Sequence, residues 1–314
     1  MLTFECVTAK GERLSLTSPS KVIICRDTGV PADSMDVTFP FAVDEEINTL
    51  RVLRGSEEIF LGIADEQIVV SDGGSVRTRF VCRSMAALLV DNEAYPSVFN
   101  DISASLVFDK FAKPLGFEKM IGEDRTLRGL FCVPKGTSCW QVVENFCKAV
   151  WGKAPFAEGM SVVMNRTDDV KGSVTFSDKE DKNFIRYTAF EHNRLRCKLV
   201  SRVRVKFNMS EGYTALVEDK EAIVSGVLRE RFLNADVLSG KSLSDADRLI
   251  DNGRLRSEKI TLMVPLCATE VLGKSAVVDD STFGVYEGFY VEGVRYTFDD
   301  KGEKTRLTLG RKER

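Results

Sequence analysis

The chain has 314 residues, 43% of them apolar and 29% charged, with 44 basic and 47 acidic side chains and a formal net charge of −3. That length suits two or three domains with packed cores, and the slightly acidic balance excludes a general nucleic-acid binder, which needs a strongly basic surface. No run approaches the roughly 18 apolar residues of a spanning helix, so no membrane insertion is expected, and Glu5 in an N-terminus without an apolar run argues against a signal peptide.

Residues 1–95 are strand-rich. Leu2–Val7, Leu14–Leu16, Val22–Cys25, Asp36–Phe41, Thr49–Leu53, Ile59–Ile63, Gln67–Ser71 and Val76–Cys82 are short runs separated by Gly, Pro, Asp or Ser. Even spacing with turn punctuation predicts an antiparallel barrel or sandwich. In the last of these strands Thr78, Phe80 and Cys82 alternate with Arg77 and Arg79, a period of two. The period then changes. Ser84 reads as an N-cap, Met85, Leu88 and Leu89 follow at helical spacing, and Asp91-Asn92 and Pro96 stop the short helix.

From residue 96 to 170 the texture is that of an α/β module. Val98, Ile102 and Leu106 lie at i, i+4 and i+8, which predicts a helix ending near Lys113-Pro114-Leu115-Gly116. A strand over Leu127–Val133 follows. Thr137 then reads as the cap of a helix whose inner stripe is Trp140, Val143, Cys147 and Val150 and whose stop is Gly152. Ser161–Asn165 is another strand.

Residues 171–314 return to strands. Over Leu195–Phe207 one face carries Leu195, Cys197, Leu199, Ser201, Val203, Val205 and Phe207 and the other Arg196, Lys198, Val200, Arg202, Arg204 and Lys206. Such a strand has one buried and one wet face. A helical insertion around 219–253 holds a short helix at Asp219–Gly226 and another that Ser244 would cap, with Ala246, Leu249 and Ile250 inward and Gly253 as its stop. Strands at Lys259–Val264, Ser275–Val278, Gly288–Val291, Val294–Phe298 and Thr305–Leu309 close the chain, the last two joined by a tight turn at Asp299-Asp300-Lys301-Gly302.

The order of several pieces resembles the baseplate hub proteins of tailed bacteriophages, the late-control D family and related prophage tail proteins. These pieces are Gly62-Ile63-Ala64-Asp65-Glu66, the Arg83-Ser84 pair closing a strand, and the short helix running into Leu89-Val90-Asp91-Asn92-Glu93-Ala94. The Trp140 helix and the run Asp219, Ala222-Ile223, Gly226, Arg229-Glu230-Arg231-Phe232 extend the resemblance over roughly residues 35–311, with nothing specific matched at 1–35 or 166–195. The resemblance implies an α+β, β-rich fold in which two tube-like antiparallel β-barrel domains, 1–95 and 171–314, flank the α/β module at 96–170. It implies a structural hub of the virion tail, assembled in the host cytoplasm. There a homotrimer would adapt a hexameric tail tube to the central spike and line the channel. The implied partners are the tail tube or distal tail protein, the spike, the tape-measure protein and other baseplate proteins. Two rivals are the hub-like part of a secretion or injection spike, which shares the fold, and a tail-associated peptidoglycan hydrolase.

Little in the sequence offers chemistry, and no catalytic, cofactor-binding or metal site is expected. The one histidine, His192, is flanked by Glu191 and Asn193 and reads as a polar loop residue; a Ser–His or Cys–His pair would have to use it. Ser239-Gly240-Lys241-Ser242 looks like the tail of a P-loop, but Ala235 stands where the leading glycine belongs. Asp178–Asp181, Asp279-Asp280 and Asp299-Asp300 read as charged turns rather than glycosidase carboxylates, and Asp65-Glu66 as structural. The eight cysteines form no C-x-x-C pair and sit mostly among apolar neighbours, as buried free thiols made in a reducing cytoplasm do. The basic face Arg196–Lys206 is either a solvated face paired across strands with acids, or a charged stripe at a subunit contact or channel wall; nucleic acid is disfavoured because no aromatics interleave it.

Overall fold

The computed structural model describes residues 2–165, 172–179, 183–207, 212–235 and 243–312. The fold is α+β and β-rich, and the chain divides into two compact units. The first holds residues 1–172, 264–274 and 292–306, and the second 173–263, 275–291 and 307–314.

In the first unit an antiparallel sheet runs in the order Arg13–Thr17, Leu2–Thr8, Ile47–Arg54, Glu57–Asp72, Ser75–Ser84, Ser34–Phe39, Lys21–Asp27 and the 292–299 part of Gly284–Asp299. Period-two alternation sends Phe4, Val22, Ile24, Val37, Phe80 and Tyr296 into one apolar core. Two of the expected strands, Ile59–Ile63 and Gln67–Ser71, are one strand of 16 residues. A register shift between Ala64 and Glu66 lets the strand continue where the charged pair suggested an end. Gly288–Val291 and Val294–Phe298 are likewise one strand, Gly284–Asp299, in which Gly288 sits at a register shift with φ +77° and Gly293 pairs with Asp27.

A second core in this unit gathers around the helices Ala104–Phe111 and Cys139–Trp151. The helix read from Val98 begins later than expected. Ser97–Ser103 is a strand paired with Thr126–Val133, and the Ser103 hydroxyl accepts from the Leu106 N–H as the true cap. Val98 is therefore exposed, and the buried stripe is Ala104, Val107, Phe108 and Phe111. The second helix is capped by Ser138, not Thr137: Ser138 and Gln141 form a reciprocal capping box. Gly152 ends it in the left-handed conformation, φ +71°, as expected.

In the second unit Ser173–Ser177 runs parallel to Ser275–Asp280, and Ala189–Arg194 runs antiparallel to Glu258–Val264. A separate three-stranded sheet has Arg202–Phe207 in the middle, Ala215–Glu218 antiparallel on one side and Glu230–Ala235 parallel on the other. The helix Leu243–Leu255 covers it, packing Ala246 and Ile250 on Val203 and Val205. The alternation expected over Leu195–Phe207 holds only from Ser201 onward. Arg196–Lys198 is a tight helical turn that reverses phase, so Val200 is buried and Cys197 exposed. Gly253 does not stop the helix but lies inside it, where a Cβ would stand 2.9 Å from the Lys198 carbonyl oxygen. The glycine allows the helix to approach the 198–200 backbone that closely.

Candidate functional site

Three of the segments that carried the resemblance, Gly62–Glu66, Arg83-Ser84 and Leu89–Ala94, meet in one place. Gly62 faces Ser84 across the strand pair, and a Cβ there would lie 2.2 Å from the Arg83 carbonyl oxygen, so only glycine fits. Asp65, just beyond, receives both arms of the Arg83 guanidinium at 2.7 and 2.8 Å. The same guanidinium donates to both oxygens of Asp91, at 3.0 and 2.7 Å, on the short helix Ala87–Asp91. These two carboxylates raise the Arg83 pKa further, Asp65 contributing most. Ser84 is the last strand residue rather than a helix cap: its N–H donates to the Asp33 carbonyl and its hydroxyl accepts from the Asp33 N–H. Beyond the helix the Cys139 N–H donates to the Asn92 carbonyl and the Gly136 N–H to the Glu93 carboxylate. This is a clamp that fixes a strand end, a helix and the loop before the next helix. Every side-chain group named in it is engaged in holding these segments together.

Two arginines of the basic strand face are paired within their own sheet. Arg202 bonds Glu218 at 2.9 Å and Arg204 bonds Glu230 at 2.7 Å. The register places Leu216 and Phe232 on either side of Arg204, and Tyr213 packs edge-on against Phe232 at 5.0 Å. Aromatic neighbours thus come from the adjoining strand and loop, which a reading along one strand cannot find.

His192 is not a loop residue. It stands in the strand Ala189–Arg194, half-buried, with Nε2 2.6 Å from one oxygen of Glu258, while Arg311 donates to the other oxygen at 2.6 Å. Burial pushes the Glu258 carboxyl up, but the bonds from Arg311 and His192 outweigh it and hold the group below its usual range. Glu258 lies 66 residues from His192 and 53 from Arg311, so no local spacing could have joined them. The ring rests against Tyr286 and Phe190, and Phe283 stacks on Phe190. No serine or cysteine contact to the ring accompanies this pair among the described residues.

The described parts of the acidic turns are braced from within, while Glu180 and Asp181 lie outside the described residues. Asp178 accepts from the Ser281 N–H and hydroxyl, and Asp280 accepts from the N–H groups of Thr282 and Phe283 and from the buried Tyr187 hydroxyl. All eight cysteines are free; Cys6, Cys82, Cys139, Cys147 and Cys267 are buried, and burial pushes the Cys6 and Cys147 thiols up to about 12. The P-loop-like residues 239–242 and the side chain of Ser244 lie outside the described residues. Among the described residues no three His, Cys, Asp or Glu side chains are grouped to hold a metal, and no helix is long and apolar enough to cross a membrane.

Two surface features carry charge of which most has no ion-pair partner among the described residues. A cleft of about 450 Å³ in the second unit has Val200, Leu249 and Gly253 on its wall and Lys198, Arg248, Arg256, Asn252 and Asp245 around them. Neither Lys198 nor Arg256 has a carboxylate partner among the described residues, and Arg248 reaches Asp245 only at 3.7 Å. In the first unit Asp44, Glu45 and Glu46 are three consecutive exposed carboxylates with no ion-pair partner among the described residues. Their loop is pinned. Gln67 donates to the carbonyls of Val43 and Glu45 and accepts from the Ile47 N–H, and Thr78 accepts from the Val43 N–H and donates to the Phe41 carbonyl.

No family model matches the chain, and no curated protein matches it in sequence. Solved structures do match the fold. A tail protein from Neisseria meningitidis MC58 superposes with a TM-score of 0.75 at 18% identity, covering 98% of this chain and 96% of its own. The 43 kDa tail protein of prophage MuSo2 from Shewanella oneidensis gives 0.78 at 15% identity, covering 99% and 97%. An E. coli component of the type VI secretion system, described as structurally similar to the T4 tail proteins gp27 and gp5, gives 0.52 at 8% identity over 94% of this chain and 74% of its own. The chain therefore has the fold of phage tail proteins, the class that its Gly62–Ala94 segment resembles.

Proposed function

We propose that this chain is a structural, non-enzymatic hub of the baseplate of a phage tail or phage-tail-like particle. In this reading three copies form a ring that adapts the tail tube to the central spike and surrounds the channel. Residues 1–95 and 171–314 supply tube-like domains, the second lending its 264–274 and 292–306 segments to the first unit, and 96–170 supplies the module that lies between them in sequence. Tube or distal tail protein, spike and tape-measure protein are its neighbours in the virion tail. One observation carries the reading: two phage tail proteins match nearly the whole of this chain and are themselves matched over nearly their whole length. The internal use of the charged groups supports it, since Arg83, Arg202, Arg204 and Glu258 are occupied in holding strands and helices together. The experiment is deletion of the gene from its prophage. Tail particles should fail to form and be restored by the gene in trans, and particle images should show three copies at the baseplate. Complete tails without the protein would refute the reading.

A second setting, the hub-like part of a type VI spike, draws support from the E. coli component and from a PdpA–VgrG complex, of which the matched chain gives a TM-score of 0.58 at 10% identity over 64% of its length. Neighbouring genes encoding a tail tube and tape-measure protein favour the first setting. Genes for a secretion sheath without a capsid favour the second.

A further inference from the structure

We infer that the Asp44–Glu46 loop of one copy docks on the Lys198/Arg248/Arg256 cleft of a second copy. This rests on the reading of the chain as a self-assembling hub and names the surfaces that would join its copies. Three like charges in a row repel one another, and a chain free to relax would spread them or pair them. Here the loop is instead held by side-chain bonds from Gln67 and Thr78 and by the Ala9 N–H on the Glu46 carbonyl. A loop fixed before binding loses little conformational freedom on contact, which is what a preformed docking element requires.

The cleft is the complement. Three cations stand around an apolar wall of Val200 and Leu249, and Asp245 is the one carboxylate among the lining residues. Asp251, on the same helix, is already shared with Arg254 at 3.6 Å. Gly253 sets the depth of the cleft by letting the helix rest on the 198–200 backbone. The partly exposed Phe41 precedes the acidic loop and gives the contact an apolar component to place against that wall. The two surfaces are different, so the contact is heterologous, the kind that closes a ring when repeated by rotation.

The test is a charge swap in the full-length chain, read by sedimentation velocity with circular dichroism to confirm folding. E45K/E46K alone and K198E/R256E alone should each weaken self-association by about tenfold or more, because each sets like charges against one another. All four substitutions in one chain should restore it. Raising salt should weaken the wild type and the fourfold variant alike. Association unchanged by either reversal overturns the inference, as does a folded fourfold variant that stays monomeric. A wild type that is monomeric at every concentration overturns it too. None of these outcomes decides the tail assignment, which the deletion experiment judges separately.

Discussion

The sharpest test of the core assignment compares two adjacent leucines on the short helix Ala87–Asp91. Leu89 is fully buried in the cluster built around the two longer helices, while Leu88 is half-buried against its edge. Sequence spacing treats them alike. Truncating Leu89 to Ala removes buried carbon and leaves a cavity, a cost of roughly 2–5 kcal/mol. The same change at Leu88 loses about 1 kcal/mol, since about 0.8 kcal/mol per buried methylene applies to only part of the side chain.

Tryptophan fluorescence in urea reads this core selectively. Both tryptophans of the chain, Trp140 and Trp151, lie on the helix Cys139–Trp151 in the same cluster as Leu89. With a slope of about 2 kcal/mol per molar, a loss of about 3 kcal/mol moves the midpoint down by about 1.5 M for Leu89→Ala and by about 0.5 M for Leu88→Ala. Equal shifts, or a larger shift for Leu88, would refute the placement of the helix.

Other substitutions probe other elements. Gly62→Ala drives a Cβ into the Arg83 carbonyl and the Phe60 ring, and should cost about 3 kcal/mol in the same assay. Gly253→Ala should also destabilise, by about 1–3 kcal/mol in thermal unfolding followed by circular dichroism, although alanine is the better helix former, because the clash with the Lys198 carbonyl outweighs propensity. Arg254 donates two bonds of 2.8 Å to the buried Asp219 carboxylate and holds it below the usual carboxylate range, with the Ala222 N–H adding to the effect and burial opposing it. A depressed folded value gives stability that is present above about pH 4 and lost as pH falls through that folded value. Arg254→Ala should therefore cost about 3 kcal/mol at pH 7 in urea unfolding, and its deficit against the wild type should close as the medium is acidified below pH 4. Arg204→Ala should keep the fold and cost under about 1 kcal/mol in the same measurement, because its pair with Glu230 is half-exposed; unfolding of the chain by this change would contradict the assignment of that face.

Most strands of the first 84 residues were legible because they alternate and are closed by turn residues; Glu57–Asp72 was split in two because its register shift at Ala64–Glu66 breaks the alternation. The helix Cys139–Trp151 was legible from its stripe and from Gly152. The errors have local physical causes. At Val98 a helical spacing of apolar residues competed with a ladder to Thr126–Val133, and the ladder won because Ser103 offers a better cap further on. At Gly253 the glycine was read for its conformational freedom, whereas its role is the absence of a Cβ beside another backbone. Neither the partners of Arg83 nor those of His192 could be paired along the sequence, because they are set by which strands lie side by side.

The same distinction separates the two kinds of charge on this molecule. The basic face Arg196–Lys206 stands out in sequence, yet the sheet supplies Glu218 and Glu230 opposite Arg202 and Arg204, and these two arginines become part of the strand pairing. The cleft joins Lys198, near one end of that face, to Arg248 and Arg256 from a segment about fifty residues away, brought together by the packing of one helix on one strand entry. The Asp44–Glu46 loop is conspicuous in sequence but becomes informative only when Gln67 and Thr78 are seen to hold it still. Charge consumed by neighbours stabilises a subunit, and charge held rigid without a neighbour is available to another. With strands and helices fastened internally by the Arg83, Arg254 and Arg311 pairs, the docking proposed above draws on groups that this internal pairing leaves largely unused, and its two surfaces are oppositely charged.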